Sequence, residues 1–388
     1  MPLWEKRILE NEYTLPNDAG TYQLKLPKSG ALSKLMLTLQ WTGGATESHT
    51  VSVFDAFDKI EIVANGSYVV WSLTPLELFM WAHFFGKSTP HVQRVESASG
   101  VHQVIFEVPF SLVNKDRSYY LPLGAYRDLE LRVTYSPTIS ATAGFTTGTG
   151  LIDVRAVISN DLPDNGSAGF LRLRTVYTYT SAASGDTRQE LVGNFPVLGL
   201  GVYAKEDQVL AHASITDVEV QVRDGGRSIA KDDFARLRRA QLGAWGINAR
   251  EMATVFVQDG DEVYYSGDDV DTLVAQPDVG TITIGTTLIP HVMFEEQLPH
   301  HSIITMFNDT ADGAATAQAA FATDKDVHTL VNYRSIPNGG LIDFALDGMY
   351  ENAPVPSNLS KMEVILTNGN AGADVRITQL ELANVVNI

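Results

Sequence analysis

Five side chains in the last third of the sequence have the types that bind a transition metal. Imidazole nitrogens and carboxylate oxygens are zinc ligands, and some all-β enzymes carry them on strands. Pro290 and Pro299 interrupt this segment, and its spacing matches no zinc-binding motif. We therefore predict no catalytic metal here and interpret the cluster as surface or interface residues: His291, Glu295, Glu296, His300 and His301.

A second group is acidic and could hold calcium through carboxylate oxygens. Its members are Asp259, Asp261, Asp268, Asp269 and Asp271. The segment lacks the full ligand spacing of a calcium-binding hand, and most acidic loops are simply solvated. A structural calcium ion that screens like charges is the one cofactor the sequence leaves open, and no other metal or cofactor is predicted.

The N-terminal segment 3–10 has the composition of an interaction element. If it is helical, Trp4 and Ile8 form an apolar stripe beside Lys6 and Arg7. Such a stripe could contact a neighbouring subunit or a membrane surface. Two basic residues attract anionic lipid only weakly, which favours the subunit. The alternative is a terminal arm that packs locally or frays.

No catalytic residue is predicted. The sequence contains no nucleophile elbow, phosphate-binding glycine loop or dinucleotide fingerprint. The glycine-rich stretch Thr147-Gly148-Thr149-Gly150 has no apolar strand before it and no helix after it, so we interpret it as a connection. The chain is therefore not expected to be an enzyme.

Composition describes a folded, turn-rich chain. Of 388 residues, 44% are hydrophobic and 19% charged, with 31 glycines and 16 prolines. Cysteine is absent, which excludes disulfides and thiolate metal sites. The net charge of −18 repels phosphate backbones, so direct nucleic-acid binding is not expected. The N-terminus lacks the features of a signal peptide, so we expect synthesis in a cytoplasm.

Short period-two segments dominate the pattern. Leu35, Leu37 and Leu39 share one strand face, and polar side chains occupy much of the other. The same alternation recurs along the chain and predicts antiparallel β-sandwiches. Trp41, Trp71 and Trp81 fall in apolar-patterned elements and are predicted to lie in the core.

The two halves of the chain resemble each other in order. An alternating segment and an Asn65-Gly66 turn precede a predicted helix that begins at Thr74-Pro75-Leu76-Glu77, a capping box. A similar segment and turn precede a second predicted helix from Asp232 to about Gln241. Two further landmarks repeat in the same order. We predict an N-terminal arm (1–12), a first β-domain (13–160), a linker (161–169) and a second, longer β-domain (170–388). The larger loops of the second domain are expected at 260–277 and 308–326.

This architecture resembles the double jelly-roll major capsid proteins of adenovirus and of tailless, membrane-containing phages and archaeal viruses. The resemblance covers nearly the whole chain and is one of architecture rather than of a short motif. It implies two tandem jelly-roll β-sandwiches with a few short helices. It also implies homotrimeric, pseudo-hexagonal capsomers in an icosahedral shell, and a location in the virion after synthesis in the host cytoplasm.

The resemblance also implies partners. These are neighbouring capsomers, minor capsid or vertex proteins and, as an open alternative, an internal membrane. One rival hypothesis is a carbohydrate-binding or adhesive protein of two β-sandwiches, which would need exposed aromatic side chains. A second is a metalloenzyme with two cupin-like halves. It would need matching ligand sets, and the first half has no counterpart of the histidine and glutamate cluster.

Overall fold

The computed structural model describes residues 2–45, 52–86, 90–93, 99–142, 144–164, 166–205, 210–222, 227–245, 250–257, 262–264, 270–277, 289–297, 302–309, 325–333, 336, 338–345 and 353–384. Between 242 and 335 this description covers the backbone only. Strands dominate these ranges and helices are few, which confirms the all-β prediction.

The first half contains two sheets. Its elements are β1 (Glu5–Thr14), β2 (Gly20–Lys25), β3 (Ala31–Thr42), β4 (Phe57–Ala64), β5 (Tyr68–Leu73), α1 (Pro75–Gly86), β6 (His91–Gln93), β7 (Val101–Pro109), β8 (Leu121–Pro122), β9 (Leu129–Tyr135) and β10 (Leu151–Ser159). The strand order β1-β10-β3-β7-β6, with β8 on β3, forms what we call the β1 sheet. The order β2-β9-β4-β5 forms the β2 sheet. Together they make a jelly-roll sandwich, the first roll.

The second half repeats this topology. Its elements are β11 (Phe170–Thr180), β12 (Gly185–Glu190), β13 (Val197–Lys205), α2 (Ala211–Ser214), β14 (Ile215–Val222), β15 (Arg227–Asp233), α3 (Phe234–Trp245), β16 (Arg250–Val257), β17 (Glu262–Tyr264), β18 (Val270–Pro277), β19 (Ile289–Gln297), β20 (Ser302–Asp309), β21 (Lys325–Tyr333), β22 (Gly339–Asp343), β23 (Met362–Asn368) and β24 (Asp374–Ala383). The β11 sheet has the order β11-β24-β13-β22, and the β12 sheet has the order β12-β23-β14-β15. These eight strands match eight strands of the first roll in order, while β6 and β8 have no counterpart in the described part of the second roll.

The greater length of the second roll comes from an insertion between α3 and β22. It contains two three-stranded sheets, β16-β21-β18 and β17-β20-β19. The sequence predicted large loops in this region, and the structure places β-strands in parts of it. The insertion begins after α3 and ends before β22, and the Gln241 side chain joins these two elements, at what we call the neck, by bonding the backbone of Leu341 in both directions. Gln241 Oε1 accepts from Leu341 N at 3.1 Å, and its Nε2 donates to the Leu341 carbonyl.

The two rolls share a sheet. β5 and β11 run parallel, with Trp71 opposite Leu173 and Ser72 opposite Arg174. This pairing joins the β2 sheet to the β11 sheet in one eight-stranded sheet. The indole Nε1 of Trp71 also donates to the Leu171 carbonyl at 3.2 Å. The orientation of one roll relative to the other is therefore set by backbone pairing as well as by side chains.

The N-terminal segment is a strand, so the predicted helix over 3–10 is wrong. β1 pairs antiparallel with β10, with Glu5 opposite Ile158 and Thr14 opposite Leu151. An isolated helix of eight residues is marginal in water, whereas an edge strand gains a ladder of backbone hydrogen bonds. Most of the predicted arm is therefore part of the first roll. The domain boundaries near 160 and 170 stay predictions.

The start of the first described segment, the end of β24 and the inter-roll connection lie at the same end of both rolls. Leu3 N donates to Asp161 Oδ2 at 2.6 Å, and Phe170 lies opposite Ala383 at the end of β24. β5 runs parallel to β11 and so leads away from this end toward α1. The insertion after α3, which follows the matching strand β15, therefore extends from the opposite end of the second roll.

Candidate functional site

The candidate metal ligands fall largely outside the described side chains. His291, Glu295 and Glu296 belong to β19, while His300 and His301 lie outside the described residues. Among the acidic positions, Asp271 belongs to β18, and Asp259, Asp261, Asp268 and Asp269 lie outside the described residues. The described part of the chain contains no group of three or more metal-binding side chains. A structural calcium ion stays a prediction.

The predicted arm residues lie on a sheet edge. Lys6 and Ile8 are exposed, with 63% of Ile8 accessible, and Trp4 and Arg7 are half-buried. The Arg7 guanidinium bonds Glu5 at 2.8 Å on the same strand face. β1 has one strand neighbour, β10, among the described residues. Their predicted role in an interface stays a prediction, now for an edge strand rather than a helix. The structure describes no helix long and apolar enough to cross a membrane.

The most elaborate side-chain arrangement is the junction between the rolls, and α1 builds it. Its start follows the predicted capping box: Glu77 N donates to Thr74 Oγ1 at 3.3 Å, and Thr74 N donates to Glu77 Oε2 at 2.7 Å. The cap fixes where α1 begins. Phe79 then packs on Phe54 within the first roll, while Met80 and Trp81 face the outer side of the β11 sheet.

Large side chains of α1 pack against glycines of the β11 sheet. Trp81 is fully buried, and its Nε1 donates to Thr378 Oγ1 on β24 at 2.8 Å. Met80 lies over Gly201 and Gly339, where an added Cβ would be too close to its thioether. The missing side chains on β13 and β22 therefore make the space that α1 fills.

A buried carboxylate lies where α1 meets the second roll. Glu77 is fully buried, bonds Thr175 Oγ1 at 2.9 Å and lies 3.8 Å from the Arg376 guanidinium. Burial raises the pKa of Glu77, and its bonds to Thr74 and the charge of Arg376 oppose that rise. An unpaired charge here would be very costly. Glu77 thus links the cap of α1 to two strands of the other roll.

A second buried charge cluster stabilises the same junction near the chain ends. Glu381 is fully buried, with Arg172 at 3.2 Å and Arg174 at 3.7 Å. Burial raises the pKa of Glu381, and the two guanidinium charges oppose that rise. Arg172 also donates to the Val69 carbonyl at 2.8 Å and lies over the Tyr68 ring at 4.8 Å. The sequence pattern did not reveal this cluster, because its members are distant along the chain.

The corresponding face of the first roll is open. The outer face of the β1 sheet forms a groove of about 390 Å³. Its lining mixes polar and apolar residues: Glu12 and Arg155 are exposed, Asp153 is buried, and Met36, Thr38 and Gln40 are half-buried. In the β11 sheet the same face lies under α1. The groove has no nucleophile–base pair and no concentrated charge of one sign, so it is suited to contact with a surface rather than to catalysis.

Comparisons with known proteins show the fold. Neither a protein-family model nor a curated protein matches the sequence. Among solved structures, the chain is similar to the STIV MCP, with a TM-score of 0.56 at 10% identity over 98% of this chain and 96% of that one. The atomic structure of Sulfolobus Turreted Icosahedral Virus gives a TM-score of 0.54 at 12% identity, over 98% and 90%. The PBCV-1 virus capsid gives a TM-score of 0.51 at 9% identity, over 98% of this chain and 94% of that one. The chain has the double jelly-roll fold of these proteins from end to end.

Proposed function

We propose that this chain is a viral major capsid protein that forms homotrimeric, pseudo-hexagonal capsomers of an icosahedral shell. The observation that carries the proposal is the match of nearly the whole given chain to solved capsid structures, over 98% of its length and 96% of the STIV MCP. In this proposal its location is the virion and its mechanism is assembly. It has no catalytic residues.

The duplicated fold suits such a role physically. Two rolls of equal topology in one chain present similar side surfaces twice, so three copies place six rolls around one axis. Each contact between copies is heterologous and closes into a ring. Neighbouring capsomers and minor capsid or vertex proteins are the partners in this proposal. An internal membrane facing the end with the chain termini is a further candidate.

The carbohydrate-binding alternative is not favoured. It needs exposed aromatic rings for stacking on sugars, yet Trp41, Trp71 and Trp81 are at most 2% accessible. All three lie in the core, as the sequence predicted. Trp4 is half-buried beside the β1 edge. None of the four tryptophans whose side chains the structure describes is exposed in the way that sugar stacking requires.

The test is the oligomeric state and outline of the purified protein. We expect light scattering to give three times the chain mass of 42.3 kDa. Negative-stain electron microscopy should show compact particles with a pseudo-hexagonal face. Monomers, or elongated particles with two lobes, would overturn the proposal and make sugar-binding screens the next experiment.

A further inference from the structure

A crevice lies between the two rolls where β13 ends and β24 begins, opposite the end with the inter-roll connection. It consists of two adjoining pockets of about 330 and 540 Å³, which share Asp58, Thr74 and Arg376. The first two of these residues belong to the first roll, and Arg376 belongs to β24 of the second. We call this space the inter-roll crevice. A molecule bound in it contacts both rolls at once.

The inter-roll crevice has more acidic than basic groups in its lining. Its charged residues are Asp55, Asp58, Glu77 and Asp374, against Lys59, Lys205 and Arg376. Arg376 is shared between two carboxylates, Asp374 at 2.7 Å and Glu77 at 3.8 Å. Lys59 forms an ion pair of 2.7 Å with Glu61, which is not part of the lining. The remaining charge is negative and attracts a cation.

A buried hydroxyl group lies beside these charges. Tyr203 on β13 lines the crevice and is only 2% exposed. Its neighbours Val202 and Ala204 pack in the core of the second roll, so the Tyr203 ring points the other way, toward the first roll. The hydroxyl has no hydrogen-bond partner among the described residues. Native proteins leave few buried polar groups in that state, so this one indicates a ligand atom.

The Tyr203 hydroxyl is suited to accept from a cationic donor. Burial raises the pKa of Tyr203 well above its ordinary value, and the carboxylates of Glu77 and Asp374 add to that rise, while Arg376 opposes it. The hydroxyl therefore stays neutral at physiological pH. Its oxygen has lone pairs for an N–H donor, and a charged donor makes the stronger bond.

The arrangement of the lining favours an elongated organic cation over a metal ion. The described residues contain no group of three or more side chains that could hold a metal ion. The carboxylates come from separate elements, and apolar residues lie among them, namely Phe54, Phe57, Pro75 and Leu76. A polyamine has the matching pattern, because its ammonium groups are joined by methylene chains. The ammonium groups bond carboxylates, and the methylene groups pack on apolar surface.

We propose that the inter-roll crevice binds an aliphatic polyamine. One ammonium group donates to the Tyr203 hydroxyl beside Asp55 and Asp374, and another lies beside Asp58 and Glu77. Because the ligand contacts both rolls, it stabilises the folded chain by mass action. The site belongs to the single chain and does not depend on the proposed capsomer.

Calorimetric titration of the purified protein with spermidine tests the site. We expect saturable binding of one spermidine per chain at physiological ionic strength, and a rise in melting temperature that magnesium chloride of equal ionic strength does not give. Tyr203→Phe removes only the hydroxyl, so the free variant should be as stable as the wild type. It should bind spermidine at least about tenfold more weakly.

A matched pair of charge variants separates the site from general attraction to an acidic protein. Asp58→Asn removes one charge from the crevice and keeps an acceptor for the Ser136 hydroxyl, which bonds it at 2.7 Å. Asp217→Asn removes the same charge from an exposed position on β14, outside the crevice. We expect only Asp58→Asn to weaken spermidine binding.

The outcomes are distinct from those that test assembly. The polyamine site is overturned if no saturable binding occurs, or if Tyr203→Phe binds spermidine as tightly as the wild type. Equal weakening by the two aspartate variants also overturns it, because it shows attraction to the net charge of −18 alone. Each of these results leaves the proposed capsid function standing.

Discussion

β3 and β13 occupy the same position in the two rolls, yet their burial differs. β3 alternates between buried and half-exposed residues, whereas eight of the nine residues of β13 are buried. One face of β13 packs into its own roll, and the other packs against α1. The outer face of β3 lines the open groove. Strands at the same position of the two rolls therefore have different neighbours. The outer face of the β11 sheet is covered by α1, and the outer face of the β1 sheet is not covered within the described chain.

The hydrophobic cores show the same asymmetry. Leu171, Leu173, Leu380 and Leu382 belong to strands of the second roll but pack in the core cluster of the first. Among the residues whose side chains are described, the cluster inside the second roll is smaller and includes Val202, Val364 and Val375. A large share of the second roll's apolar burial thus depends on the first roll. We expect the two rolls to unfold together rather than as independent domains.

The largest expected difference is in the free energy of unfolding, between a substitution in α1 and one at the matching position of α3. Trp81→Ala removes a fully buried indole and its bond to Thr378, so it should lower the free energy of unfolding by about 3–5 kcal/mol. Ala240→Ser, at the matching exposed position of α3, should change it by less than about 0.5 kcal/mol. Chemical denaturation of each variant measures both values. Equal effects at the two positions would contradict the asymmetry.

The contribution of α1 to stability should depend on pH, whereas α3 has a leucine in place of the titrating histidine. Burial lowers the pKa of His83 in α1 from 6.5 to about 4, against a bond to the Phe79 carbonyl. The unfolded chain therefore binds this proton at a higher pH than the folded chain. Stability from this group is present above pH 6.5 and is lost as pH falls toward 4. The loss is up to about 3 kcal/mol.

His83→Leu should remove this acid sensitivity, and leucine is the residue that α3 has at the matching position, Leu242. The measurement is the denaturation midpoint at a series of pH values from 7 to about 4. His91→Gln, at an exposed position on β6, is the control and should keep the wild-type pH profile. An unchanged slope in His83→Leu would show that other groups govern acid unfolding.

A smaller difference in stability is expected between substitutions on β13 and on β3. An added methyl group on β13 has no free space, because α1 packs on that strand. Gly201→Ala places a methyl group 2.6 Å from Met80 Cε and against Thr378, which should lower the free energy of unfolding by about 1–3 kcal/mol. Lys34→Ala, at the matching position of β3, leaves no overpacked atoms; it loses an ion pair to the exposed Glu107 and some packing of the half-buried lysine stem, and should cost about 1 kcal/mol. Adding Met80→Ala to Gly201→Ala should recover part of the loss, because it frees the space.

The smallest expected difference concerns the two helix caps. Thr74→Ala and Asp233→Ala each remove an acceptor for a backbone N–H at the start of a helix, at a cost of about 1 kcal/mol. We expect Thr74→Ala to cost more, because Thr74 also donates to the buried Glu77 carboxylate at 2.9 Å. Thermal melts can compare each variant with Thr74→Ser and Asp233→Asn. A larger loss at Asp233 would reverse the comparison.

The sequence predicted the repeated architecture because local chemistry repeats. The Asn65-Gly66 turn is present, with both residues at positive φ, and α1 begins after Thr74 as the capping box indicated. The segments matched between the halves, β4 with β14 and β9 with β23, occupy the same positions in the two rolls. Turns, caps and alternation act over a few residues, so they can be recognised without a structure.

The junction could not be predicted in the same way. Glu77, Thr175 and Arg376 meet only because β5 pairs with β11, and nothing local in the sequence specifies that parallel contact. One signal was available: the segment Val197–Lys205 lacks alternation and contains two glycines, which is typical of a strand buried on both faces. The N-terminal helix prediction failed because a long-range pairing partner, β10, outweighed local amphipathicity.

The closed neck at Gln241 and Leu341 has an evolutionary consequence. A segment that departs and returns at one bonded point can be lengthened, shortened or exchanged while the scaffold beneath it stays the same. Each doubling of such a segment costs only about 0.6 kcal/mol in closure entropy. Changes in the insertion can therefore leave most of the framework unaltered, although β16 of the insertion also contacts β6 of the first roll. The same point is a natural site for grafting a foreign peptide or a small folded module.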